Sequence, residues 1–219
     1  MSQQANTSRN LFLGVIICGL LLVGIAVMLS VRQSLNAPTP TPPQPTNIPG
    51  VILLDPPREL VDFTLPASTG QPLSLSDLQG KYTLLFFGYT HCPDFCPLTL
   101  THWKSMKAIL DEAGADLNYV FVSVDGERDT PEVMARYVSR FDPAFIGLSG
   151  EAATLENIGP DYGLDYTLHT EEGENYSVDH TTRTFLIDSQ GRMVATFAFD
   201  VPEEVVVETI QSIMPDATA

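Results

Sequence analysis

The sequence predicts an α/β fold: a mixed central sheet flanked by helices, preceded by one transmembrane helix. Three observations lead there. Buried-looking strands at Tyr82–Tyr89 and Tyr119–Val124 alternate with helical patterns, an order that makes a sheet with helices on both faces. Two further strand-like runs, Thr184–Asp188 and Met193–Phe199, flank Ser189-Gln190-Gly191-Arg192, which is a hairpin signal. Residues 11–31 form a stretch without a charged residue, long enough at roughly 30 Å of helix to span a bilayer core.

Four segments follow from these observations. Residues 1–10 are a short N-terminal segment. Residues 11–31 are read as an uncleaved anchor, flanked by Arg9 and Arg32. A secretory signal is the competing reading, but its apolar core is shorter and ends at small residues. Cys18 follows Ile17, which argues against lipoprotein cleavage. No Arg- and Ser-rich transit peptide precedes the stretch, which favours a bacterial cell membrane over an organelle. Residues 32–59 are a spacer, because the prolines of Ala37–Pro57 fix φ and lack an N–H. Residues 60–219 are the folded domain, expected on the periplasmic or extracytoplasmic side.

Within that domain a short strand at Asp62–Leu65 and a turn at Ser68–Gly70 precede the strand Tyr82–Tyr89. Its run Leu84-Leu85-Phe86-Phe87 indicates burial on both faces. A helix is expected over Pro97–Ala113, stopped at Gly114. Thr130-Pro131-Glu132 reads as N-cap, first helical residue and first-turn acid, opening a helix to about Phe141. Further helices are expected at Ala152–Ile158 and Pro202–Ile213. The net charge is −16, and residues 60–219, with 8 basic and 25 acidic residues, carry −17. Nucleic acid is excluded as a partner, because phosphate binding needs clustered Lys and Arg. Solubility accounts for the charge, and attraction for cations or a basic partner is the sharper alternative.

Cys92 and Cys96 form Cys-Pro-Asp-Phe-Cys after a buried strand and at a helix start. The helix N-terminus favours thiolate over thiol there, and a thiolate is both nucleophile and metal ligand. Two soft sulfurs suit Cu(I), zinc or iron–sulfur chemistry, but two are too few for a standard zinc or iron–sulfur site. Four histidines are candidates for a third ligand. His91 abuts Cys92 but points away from it along an extended segment. His102 lies on a helix beside Trp103, where packing or exposure is the plainer role. His169 falls among Glu171, Glu172 and Glu174 and reads as solvated. His180 precedes a strand and could approach the cysteines at the loop-bearing end of the sheet.

Three segments add a resemblance. Phe87-Gly-Tyr-Thr-His-Cys-Pro-Asp-Phe-Cys-Pro97, Ser123-Val-Asp-Gly-Glu-Arg-Asp-Thr-Pro-Glu132 and Tyr176-Ser-Val-Asp-His180 resemble, in order, the motifs of the Sco/SenC family of cytochrome oxidase assembly proteins. The resemblance spans about Leu60 to Ile213. It implies a thioredoxin fold with an inserted hairpin, and a copper site of Cys92, Cys96 and His180. Gly126 departs from the family's usual proline, which bears on the rigidity of that loop. Asp125, Arg128 and Asp129 read as an ion-pair and capping cluster. Asp179 is a candidate to orient a ligand histidine, and Asp94 to satisfy backbone N–H groups.

The resemblance implies a carrier of Cu(I) or Cu(II) that delivers copper to the binuclear centre of cytochrome c oxidase subunit II. A copper donor protein and a thiol reductant are its further partners. The alternative is a thiol–disulfide reductase, in which Cys92 and Cys96 are the redox-active pair and keep the subunit's cysteines reduced. A peroxidase-like activity would share the fold, but no motif for it is present.

Overall fold

The computed structural model describes Met28, residues 48–112 and residues 116–214. The chain divides between Thr46 and Asn47, and every element below belongs to the C-terminal unit. The expected anchor at residues 11–31 lies outside the described residues apart from Met28. Among the described residues no helix is long and apolar enough to cross a membrane.

Six strands form the main sheet: β1 (Val51–Arg58), β4 (Tyr82–Gly88), β5 (Leu117–Ser123), β6 (Ile146–Ser149), β9 (Thr184–Ile187) and β10 (Met193–Phe197), in the order β1-β10-β9-β4-β5-β6. The β4–β5 and β5–β6 pairs are parallel, whereas β9, β10 and β1 add antiparallel. Two small hairpins lie apart from it: β2 (Thr64–Leu65) with β3 (Leu73–Ser74), and β7 (Tyr166–Leu168) with β8 (Val178–His180). The helices are α1 (Phe95–Glu112), α2 (Pro131–Val138), α3 (Ala152–Tyr162) and α4 (Glu203–Ile213).

The β4 run Leu84-Leu85-Phe86-Phe87 is wholly buried, as a strand covered on both faces must be. Each such side chain contributes about 1.5–3 kcal/mol of burial free energy. Phe86 stacks on Phe121 of β5 at 5.9 Å and meets the edge of Trp103 from α1 at 6.4 Å. These contacts seat α1 over β4 and β5. Thr130 caps α2 by accepting from the Val133 N–H, with Pro131 first in the helix, as its sequence predicts.

The structure corrects the boundary read at residue 60. Val51–Arg58, inside the expected spacer, is the edge strand of the main sheet and pairs with β10. Pro56 and Pro57 are tolerated because they lie where the register shifts between Leu53 and Arg58, on a strand with one free edge. Arg183 fastens its start, donating to the Gly50 carbonyl at 3.0 Å and the Thr196 hydroxyl at 2.8 Å. The strands β3, β6, β7 and β8 are also additions to the sequence reading. They are short and carry little periodicity of their own.

Candidate metal centre

The carboxyl ends of β4, β5 and β8 carry the chemistry. β4 ends at Gly88, and the chain turns through Tyr89-Thr90-His91, with the Cys92 N–H donating to the Tyr89 carbonyl at 3.3 Å. Cys96 then falls in the first turn of α1. Asp129 holds this turn from the neighbouring loop. Its carboxylate is fully buried and accepts from the Thr90 N–H at 2.8 Å, the Thr90 hydroxyl at 2.5 Å and the Ser123 hydroxyl at 2.6 Å. Gly88 makes room for the sulfur: a Cβ there would lie 2.6 Å from Cys96 Sγ.

Cys92 and Cys96 are free thiols, both buried. His180 Nε2 lies 3.6 Å from Cys96 Sγ. The ligand atoms of Cys92, Cys96 and His180 all lie within 4.8 Å of one another. The His180 ring is held edge-on by Phe86 and Tyr89, each at 5.8 Å between centroids. Its Nδ1 faces the Thr181 carbonyl at 2.9 Å. A proton on Nδ1 makes that bond and turns Nε2 toward the two sulfurs, where its lone pair is available to a metal ion held with them.

The two thiols are electrostatically unequal. Cys92 is pushed down to about 3, first by the hydrogen bond from Cys96 and then by His180 and the backbone N–H groups of Cys96 and Asp94. Cys96 is pushed far up, first by burial and then by the adjacent Cys92 charge. The arrangement favours a thiolate at Cys92 and a thiol at Cys96. Two sulfurs and one imidazole nitrogen suit Cu(I), and the harder nitrogen extends the set to Cu(II).

Each residue singled out from the sequence has a place. His91 is exposed, 3.2 Å from the Thr90 hydroxyl, and stands outside the donor cluster. His102 stacks on Phe199 at 6.2 Å and lies 3.7 Å from Glu203. His169 binds Asp179 at 2.9 Å, which pushes the histidine up. Asp179 therefore serves His169, and the expected role beside His180 falls to the Thr181 carbonyl. Adjacent strand residues point to opposite faces, which separates Asp179 from its neighbour. Asp94 acts through its backbone, the N–H toward Cys92 and the carbonyl toward the Leu98 N–H at 3.3 Å. Asp125 and Arg128 form an ion pair. Gly126 packs backbone on backbone, since a Cβ there would sit 2.2 Å from the Gly150 carbonyl oxygen. Close packing holds that loop in place of a proline. The residues sequence reasoning missed are Gly88, Tyr89 and Thr181. Only Gly88 left a signal, as a lone glycine closing an apolar strand.

The architecture and the site define a class: a thioredoxin-like domain with a two-cysteine, one-histidine cluster able to hold a metal ion. The SCO1/SenC family profile matches residues 54–215, and the chain belongs to that family. It is 31% identical to an SCO2-like protein of Rickettsia prowazekii over 215 residues, covering 97% of this chain and 100% of the relative. Among solved structures it is similar to Bradyrhizobium japonicum ScoI with copper bound, at 34% identity and TM-score 0.63, covering 70% of this chain and 98% of the other. Arabidopsis thaliana ScoI with copper bound is similar at 30% identity and TM-score 0.67, covering 71% and 98%.

Proposed function

We propose that this protein is a membrane-anchored copper carrier that delivers copper to, or helps mature, the binuclear centre of cytochrome c oxidase subunit II. Cys92, Cys96 and His180 hold the cargo, and the domain works on the periplasmic or extracytoplasmic side. The observation that carries the reading is the convergence of one imidazole nitrogen on two sulfurs within 4.8 Å, from separate elements. Dithiol exchange alone does not need that nitrogen. The similarity to copper-bound Sco structures supports the metal, and the family's description as cytochrome c oxidase assembly proteins supports the acceptor. A copper donor protein loads the site, and a thiol reductant keeps the pair open for loading, because a disulfide leaves no thiolate for copper.

The inequality of the thiols favours a second reading, a reductase acting on the acceptor's cysteines. The Cys92 thiolate attacks the acceptor disulfide and releases one acceptor thiolate, leaving a mixed disulfide. Cys96 loses its proton, attacks the Cys92 sulfur and releases the second thiolate. Two electrons pass to the acceptor, and a Cys92–Cys96 disulfide remains.

Three variants separate the readings. Cys92→Ser and Cys96→Ser are expected to lose both copper binding and disulfide exchange. His180→Ala keeps the exchange and weakens copper, most for Cu(II). Cells carrying His180→Ala lose oxidase activity if carriage dominates, and respire nearly normally if reduction does. Unchanged Cu(I) and Cu(II) affinity in His180→Ala removes the histidine from the site and points back to His91 or a loop carboxylate as the third ligand.

A further inference from the structure

His180 stands on a strand outside the main sheet. Among the described residues β8 pairs only with β7, as Tyr166 with His180, Thr167 with Asp179 and Leu168 with Val178. The two cysteines belong instead to the β4–α1 junction of the sheet itself. The distance from Cys96 to His180 therefore depends on what fixes the hairpin to the body.

The loop after β5 reaches across to it. Arg128 Nη1 donates to the Tyr176 carbonyl at 2.9 Å and the Glu174 carbonyl at 3.4 Å. Its guanidinium carbon lies 3.4 Å from the centre of the Tyr176 ring and 5.9 Å from the centre of the Tyr89 ring. Arg128 Nε donates to Asp125 Oδ2 at 2.5 Å, and the Tyr176 hydroxyl donates to Asp125 Oδ1 at 2.6 Å. Asp125 and Tyr176 are buried, at 1% and 8% exposure. Tyr89 in turn meets the His180 ring edge-on. One planar cation thus grips the entry to β8 four residues before the imidazole, and touches an aromatic side chain that orients that imidazole. Arg128 Nη2 is buried without a hydrogen-bond partner. An orphaned donor costs stability, so the gain from this arrangement lies in geometry.

We propose that Arg128 is a positioning residue that latches the β7–β8 hairpin, so that the latch sets whether His180 stands beside the two thiols. With it engaged, the site has two sulfurs and a nitrogen. With it released, the hairpin moves and a dithiol remains. The inference deepens the carrier reading and rests on it for the copper arm of the test alone.

The test uses the full-length chain in detergent micelles. Arg128→Lys keeps a charge for Asp125, but an ammonium lacks the planar fork needed to stack on Tyr176 while bonding two carbonyls. In the metal-free protein, hydrogen exchange at residues 174–180 should accelerate at least about tenfold while β4 and β5 keep their protection. In the Cu(II)-loaded protein, nitrogen hyperfine coupling from the imidazole should be lost, and Cu(II) affinity should fall about 10–100-fold. Arg128→Lys combined with His180→Ala should bind copper no more weakly than His180→Ala alone. Tyr176→Leu, at the other end of the latch, should give the same pattern and serves if Arg128→Lys does not fold. Unchanged exchange at residues 174–180 overturns the latch, as does full nitrogen coupling in both variants. A wild-type protein that takes up no copper refutes the carrier reading and leaves the exchange arm to judge the latch.

Discussion

Gly88→Ala offers the most direct test of how the fold makes room for the site. A Cβ at this position meets Cys96 Sγ at 2.6 Å, Phe121 Cε2 at 2.7 Å and Phe86 Cε1 at 3.0 Å. All three neighbours are fully buried, and Gly88 is paired with Ser123 of β5 at the end of a central strand. The backbone is held as well, since the Gly88 carbonyl accepts from the Val124 N–H at 2.8 Å. Ordinary contact between such atoms is about 3.5–4.0 Å, so the sulfur must retreat by about 1 Å. Metal–ligand distances tolerate shifts of only about 0.2 Å. Overpacking of a tight core costs about 1–3 kcal/mol. In a domain of this size each kcal/mol lowers the melting temperature by about 2–4 °C, so a loss of about 5 °C is expected. The larger effect falls on the site, with Cu(I) affinity down more than about tenfold in a chelator competition. Gly159→Ala is the control, because its Cβ meets nothing closer than 3.7 Å. A Gly88→Ala protein with wild-type Cu(I) affinity and melting temperature would refute the claim that this glycine positions Cys96.

Other expectations address single features. Because Cys92 is lowered to about 3, its thiolate persists as pH falls, whereas an ordinary thiol near 8.5 loses about tenfold in thiolate per unit. Iodoacetamide should therefore modify Cys92 at nearly constant rate from about pH 8 to about pH 5, with Cys96 unmodified, as peptide mapping by mass spectrometry would show; preferential labelling of Cys96 contradicts the assignment. Asp129→Ala leaves three donors without their acceptor, and a loss of about 3–5 kcal/mol in denaturant unfolding is expected. Thr130→Ala removes one cap and should cost only about 1 kcal/mol, with copper uptake unchanged. His91→Ala should keep full copper stoichiometry, since His91 stands apart from the donor cluster; a loss would place it among the ligands.

The sequence by itself determined the parts whose signals are local. The apolar run of β4, the Thr130-Pro131 start of α2 and the Ser189–Arg192 turn each encode their structure within a few residues, because burial, φ and capping act over that range. It also determined the nature of the donors, since two cysteines with three residues between them can meet on any scaffold that turns there. The third ligand was different. Four histidines were available and spacing did not choose among them, whereas the three ordered motifs pointed to His180. Only the tertiary structure put His180 Nε2 3.6 Å from Cys96, set Thr181 rather than Asp179 behind it, and aimed Asp129 at Thr90. It also turned a proline-bearing stretch into the edge strand β1, through pairing with β10 across more than a hundred residues of sequence. Each of these depends on contacts between segments remote in the chain. Their free energy exists only once the sheet has assembled, and no single segment carries it.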